Sequence, residues 1–204
     1  MHALVESGFI TKIFSNPKGF ILNDIQYPQD IFYKWTKDEK EAIGIYEIIT
    51  DSSNFKDDAY YNNTNEEYTF TDNQVVRSWG TATPKKLEDE DAVDENGDPV
   101  LDDDGKQIIN YGLKTEKKRI IKDQASGLLA PTDWYVVKAT EVADYNVPEN
   151  ITTFRSDVRA KSNEMETQID ACNNVDELKS LYEYTKHDDG SVTRPLAEFP
   201  VLEA

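Results

Sequence analysis

Cys172, His2 and His187 are the side chains that could act as nucleophile or base near neutral pH, and their placement supplies no working pair. Nucleophilic catalysis needs a nucleophile beside a base that a third group orients, and a metal centre needs clustered His, Cys or acidic ligands. His2 sits near the terminus and His187 in a charged loop. Cys172 falls on an apolar helical stripe, where a structural thiol is expected rather than a nucleophile. The nine glycines are scattered and make no phosphate-cradling loop. Among 40 acidic residues, a pair such as Glu47 and Asp51 could be put forward for glycoside hydrolysis, yet nothing marks one pair above the rest. The expectation is a protein that is not an enzyme, with no catalytic residue, no cofactor and no metal.

The densest chemistry is acidic. Glu88, Asp89, Glu90, Asp91, Asp94, Glu95, Asp98, Asp102, Asp103 and Asp104 follow one another with no base before Lys106. Within them sit two similar octamers, "VDENGDPV" and "LDDDGKQI", whose Asn96-Gly97 and Asp104-Gly105 are turn signals. A calcium-binding helix–loop–helix loop wants ligands at positions 1, 3 and 5, Gly at 6 and Glu at 12. With Gly97 sixth, position 1 is Ala92 and position 12 is Asp103; with Gly105 sixth, they are Val100 and Tyr111. Both registers fail, so a solvated, exposed acidic loop or β-ribbon is expected.

The chain has 204 residues, 38% hydrophobic and 30% charged, with a net charge of −18. That size suits one domain or two small ones. The charge repels phosphate backbones, so no nucleic acid is expected as partner. No apolar run approaches the length of a membrane span, so no membrane partner is expected either. "MHALVESGF" lacks a signal-peptide layout, and a single cysteine fits a reducing cytoplasm. In that setting "NNT" at Asn62 and "NIT" at Asn150 read as chance matches to the glycosylation pattern.

The elements follow from periodicity. Residues 1–82 read as a β-rich module with one short helix. "FITKIFSNPKGFIL" suggests a hairpin turning at Asn16-Pro17-Lys18-Gly19. Ile31, Phe32 and Trp35 have helical spacing, and Thr36 with Glu39 forms a capping-box pair for a helix ended by Gly44. "IYEIIT" and two strands around Thr71-Asp72-Asn73 follow. Residues 83–111 are the acidic loop or ribbon, 112–185 a helical module and 186–204 an extended carboxyl-terminal arm. In the helical module, Leu113, Ile120, Ile121, Gln124 and Leu128 share a face beside basic Lys117, Lys118, Arg119 and Lys122. Pro131 breaks that helix and "TDWYVVKATEVADY" restarts it; Asn146 and Glu149 flank Pro148 at the next start. The next stripe is Ile151, Phe154, Val158, Met165, Ile169 and Cys172, and Asn174 with Glu177 caps a short helix bearing Val175, Leu178 and Leu181. Strands early and helices late predict an α+β fold: an amino-terminal antiparallel β-rich module followed by a carboxyl-terminal three- or four-helix unit. Trp134 is expected as a hub of the helical core, packed with Leu128, Phe154 and Val158, rather than as a ligand-stacking platform.

The run from Leu113 to Tyr184 resembles a segment of tailed-bacteriophage tail, tail-fibre-associated and tail-fibre assembly proteins. The residues that carry the likeness are Leu128 and Leu129, Pro131 to Val137 ("PTDWYVV"), Glu141, Pro148, Arg155, Val158, Arg159, Val175, Glu177 and Leu178. "QYPQDIFYKWTKDEKEAIGIYEI", residues 26–48, is similar to the amino-terminal part of such proteins. The resemblance covers about half the chain and leaves the octamers and the arm unexplained. It implies a virion setting after synthesis in the host cytoplasm, with other phage tail or fibre proteins as partners and a homo-oligomer left open. The expected role is a non-enzymatic structural component of the tail, at the baseplate, fibre attachment or fibre, that docks on neighbouring chains. A tail-fibre assembly chaperone is the alternative, and a host-facing wall or polysaccharide hydrolase a third reading without support. Tyr60, Tyr61, Tyr68 and Trp79, with Arg194 and Phe199 of the arm, are the candidate partner-binding residues. Against that reading stands the plainer one, in which the tyrosines complete the β core and the arm folds back on its own domain.

Overall fold

Strand β1 (His2–Glu6) is buried from His2 through Val5, because both of its faces carry apolar packing. It pairs antiparallel with β2 (Phe9–Phe14) across Ser7 and Gly8, both at positive φ. Strands β3 (Phe20–Leu22) and β4 (Ile25–Tyr27) make a second tight hairpin across Asn23 and Asp24, again both at positive φ. The hairpin expected at Asn16-Pro17-Lys18-Gly19 therefore does not form. Two-residue turns with both centres left-handed match the twist of the flanking strands, and the arms of that segment pair outward instead, β2 back to β1 and β3 on to β4.

Helix α1 (Ile31–Lys34) buries Ile31 and Phe32. Helix α2 (Lys37–Glu41) opens with the expected capping box, Thr36 and Glu39 exchanging side-chain and backbone hydrogen bonds. Gly44, at φ +79°, stands where a Cβ would lie 2.6 Å from the Val5 carbonyl oxygen, so the turn into the next strand requires glycine. That strand is β5 (Ile45–Thr50), followed by β6 (Tyr61–Asn62), β7 (Glu67–Thr71), β8 (Gln74–Ser78) and β9 (Thr83–Pro84). The Asp72-Asn73 turn joins β7 to β8, as expected. The five-stranded sheet runs β2-β1-β5-β8-β7, and β6 pairs separately with β9. The fold is α+β, but the sheet is mixed rather than wholly antiparallel, since β5 and β8 run parallel through Ile48↔Val75. A parallel neighbour needs a long return connection, and residues 51–73 supply it. On one side of the sheet Leu4, Phe14 and Ile45 pack with Phe20, Ile31 and Phe32. On the other, Ala3, Val5 and Val75 gather Ile10, Ile13, Tyr46, Ile48 and Phe70.

The structure, a computed structural model, describes residues 1–202; its chain divides into two units, Met1–Pro84 and Lys85–Ala204. The second unit opens with β10 (Glu90–Asp91), which pairs with β11 (Ile109–Asn110) as the stem of a three-way junction. The two octamers are its other arms, closed by bridges Val93↔Pro99 and Leu101↔Gln107. At the centre three backbone bonds, each 2.9 Å, close a ring: Ala92 N–H to Ile108, Ile108 N–H to Val100, and Val100 N–H to Ala92. The eight-residue period places one residue of each arm at this ring. At each tip an aspartate caps its own turn, Asp94 accepting from Asn96 and Asp98 N–H, Asp102 from Asp104 and Lys106 N–H. These carboxylates are thus engaged by backbone donors, a local reason for acid at that position.

Helix α3 (Leu113–Leu129) has the length read from the sequence, yet it buries Lys114, Ile121 and Ala125 and leaves Ile120 exposed. The buried Lys114 amine donates to the Glu88 carboxylate and to the Asp170 carbonyl oxygen, tying the acidic segment to the helices. A 3₁₀ turn at Ala130–Thr132 leads into α4 (Asp133–Glu141), and α5 (Glu149–Asp170) and α6 (Val175–Ser180) follow. The stripe from Ile151 to Cys172 is buried at every expected position, with Ser162 filling the step between Val158 and Met165. Helix α5 starts at Pro148 without the Asn146 cap, whereas Asn174 caps α6 by accepting from the Glu177 N–H. Strands β12 (Thr185–Lys186) and β13 (Val192–Thr193) form a hairpin. The arm then folds back on its own unit: Leu196 is 2% exposed and Phe199 packs beside Phe154 and Val158. Its last expected residues, Glu203 and Ala204, lie outside the described residues.

Candidate functional site

Helix α4 buries none of its residues. Trp134, expected in the core, is 52% exposed, as is Val137; Val136 and Val142 are also exposed. Short helices ordinarily survive by burying an apolar face, so something else must hold α4. The anchor is Arg155, projecting from α5 with 8% exposure. Its Nη1 lies 3.0 Å from the Leu129 carbonyl oxygen, 2.5 Å from Thr132 Oγ1 and 2.8 Å from Asp133 Oδ1. Thr132 also donates to Leu129, 2.7 Å away, so a single guanidinium satisfies the end of α3, the turn and the start of α4. With its origin fixed, α4 projects Trp134 tilted against Tyr135, ring centroids 3.8 Å apart, with the Lys138 amine over the Trp134 and Tyr145 rings. Pro131 to Asp133 and Arg155 build the corner, and Trp134 to Val137 are what it displays. This apolar display could engage another protein through desolvated aromatic contact.

The other candidate partner-binding residues separate. Tyr60 and Tyr61 are buried, Tyr61 beneath the Lys56 amine, so both complete the β core instead of offering an exposed face. Tyr68 and Trp79 are half-buried and come together through Arg77. Its guanidinium lies over the Trp79 ring, and Glu66 Oε1 takes hydrogen bonds from both Arg77 and the Tyr68 hydroxyl. The Tyr68 hydroxyl, then Arg77, holds the Glu66 carboxyl below its ordinary range. Phe55 meets Trp79 edge-on. Arg194 pairs with Glu198 and stacks toward Tyr184, and Phe199 lies in the helical core, so the arm serves its own unit.

The three chemistry-bearing residues are spoken for. Cys172 is buried, and burial, followed by the charge of Glu177, pushes its thiol above the ordinary range. His187 hydrogen-bonds to Thr193 across its hairpin. His2 is buried against Phe32, with Lys40 Nζ 3.3 Å from Nε2. Since lysine can only donate, the neutral ring carries its proton on Nδ1, which is buried without a partner. Burial, then Lys40, then the terminal amine lower the pKa of His2, opposed by Glu47. Its folded value thus lies below the unfolded one, and the unfolded chain takes up the proton first. The contribution of His2 to stability is complete above pH about 6.5 and is lost as pH falls from there toward the folded value. His2→Gln should therefore flatten the decline in melting temperature between neutral and mildly acidic pH; parallel declines in variant and parent would remove His2 from the account. Among the described residues no group of three His, Cys, Asp or Glu side chains is placed to hold a metal ion.

No protein-family model, curated protein or solved structure matches the chain.

Proposed function

We propose that this chain is a non-enzymatic structural protein of a tailed-phage tail, at the baseplate, fibre attachment or fibre, that docks on other tail or fibre proteins through α4. The observation that carries this reading is the unburied face of α4, displayed by a buried arginine clamp within the segment that resembles phage tail proteins. A helix held at its root and left apolar outside is arranged for contact with another chain, because large exposed apolar residues supply much of the energy at protein interfaces.

The double variant Trp134→Ala with Val137→Ala tests it. Neither side chain is in the core, so the melting temperature should stay near that of the parent, within the roughly 0.5 kcal/mol typical of surface substitutions. Incorporation into purified particles, followed by mass spectrometry, should fall sharply. Parent protein present in particles in fixed ratio, with the folded variant missing from them, is the expected result. Parent protein absent from finished particles but required for fibres to form would favour the assembly chaperone. Normal incorporation of the variant would end the α4 reading.

A further inference from the structure

We propose that the second unit binds another copy of itself head to tail, the acidic three-way junction of one chain seating on the basic groove of α3 in the next. This goes beyond the α4 reading and does not depend on it. The groove, of about 460 Å³, is lined by Tyr111, Thr115, Lys118, Arg119 and Lys122 with Glu116 at its side. Tyr111 of the groove is an exposed apolar residue, and Ile120 of the same helix is exposed as well. Arg119 is exposed and makes no ion pair among the described residues. Lys118 and Lys122 reach Asp170 and Glu166, but the Lys122 side chain is itself mostly in solvent, where such a bond contributes little and is easily exchanged.

The junction is the complement in charge and in apolar content. Val93 and Leu101 occupy the same place in the two octamers and are both more than half exposed. Around them stand Glu95, Asp98, Asp103 and Asp104, none of them in an ion pair among the described residues. Asp94 and Asp102 are set aside because their carboxylates cap turns. A chain's own junction is held by the β10–β11 stem and by the Lys114–Glu88 pair, with the groove beside Tyr111 left open. A second copy can bring four free carboxylates and two aliphatic side chains to it. The net charge of −18 opposes association at long range, but charges more than about 8 Å apart are largely screened at physiological salt. Close pairs then decide the contact. Because the two patches differ, each bound copy leaves one groove and one junction unoccupied, and repetition gives a ring or an open chain.

Charge exchange tests this on the full chain. Sedimentation velocity of the parent protein should show a weight-average mass that rises with concentration. Arg119→Glu with Lys122→Glu, and separately Glu95→Lys with Asp103→Lys, should each remain monomeric, while an equimolar mixture of the two should associate again. All four substituted positions are exposed, and unchanged melting curves establish that the variants are folded; if the groove reversal unfolds, Arg119→Gln with Lys122→Gln takes its place against the parent. A parent that stays monomeric, variants that associate like the parent, or a mixture that fails to associate would each overturn the proposal. The Trp134 and Val137 double variant should self-associate normally, which separates this contact from docking through α4.

Discussion

Removing residues 194–204 is expected to unfold the helical unit, not merely to free a docking arm. Leu196 is fully enclosed, and its N–H donates to the Leu181 carbonyl oxygen. Gln168 of α5 grips the arm from both directions, donating to the Pro195 carbonyl and accepting from the Ala197 N–H. Phe199 closes the cluster of Ala125, Phe154 and Val158. Emptying a buried leucine site alone costs roughly 2–5 kcal/mol, and the truncation adds the loss of Phe199 and leaves Gln168 unpaired. Against a total stability of about 5–15 kcal/mol that is a decisive fraction. Leu196→Ala should lower the melting temperature clearly, and the truncated chain should lack a cooperative helical transition at temperatures where the parent is folded. A truncated chain with the parent's melting curve would show that the arm is peripheral.

Arg155→Ala carries the second large effect. It would remove the cation that meets Leu129, Thr132 and Asp133 together, leaving a buried hydroxyl and a carbonyl group to share one remaining bond. Hydrogen bonds to a charged group contribute about 1.5–3 kcal/mol each, whereas Asp133 is mostly exposed and its share is discounted. A net loss of about 2–3 kcal/mol follows, or on the order of 10 °C in melting temperature. Arg155→Lys should recover little of it, since an ammonium group cannot present the planar fork. Near-ultraviolet circular dichroism of Trp134 and Tyr135 would also change, because α4 loses its fixed origin. An Arg155→Ala protein with unaltered stability and aromatic spectrum would mean that α4 is held by something other than this clamp.

The sequence disclosed those features whose cause is local. Thr36 with Glu39 and Asn174 with Glu177 are caps built from residues three apart, and the stripe from Ile151 to Cys172 repeats along a single helix. What escaped was decided at a distance. Asn16 to Gly19 has good turn chemistry, but strands that pair on either side of it consume its arms. Trp134 sits among apolar neighbours as a core residue would, and only the reach of Arg155 from another helix lets it remain outside. Lys114 is buried because Glu88 and Asp170 converge on it, from positions 26 and 56 residues away. The octamer period was visible, but the hydrogen-bonded ring at Ala92, Val100 and Ile108 required a third member that is not itself an octamer repeat. Tyr60 and Tyr61 lead into the polar run Asn62-Asn63-Thr64-Asn65, as exposed aromatics can, and their burial depends on packing that no short window contains.

The parallel seam between β5 and β8 bears on how the first unit is made. Val75 is completely enclosed, yet it sits across from Ile48, so the seam cannot close until the intervening chain has been laid down and returned. Hairpins such as β1–β2 and β7–β8 can form as soon as their turns exist, on microsecond timescales, whereas a pairing across so many residues meets the loop-closure entropy first. The unit therefore has non-local contacts at its centre and local ones at its edges, an arrangement that places folding toward the slow, millisecond-to-second end of the range. On a ribosome, β5, paired to β1 on one side, waits with its other edge unpaired until β8 has cleared the exit tunnel. During that interval the nascent chain is most exposed to wrong partners, and a chaperone would find it there.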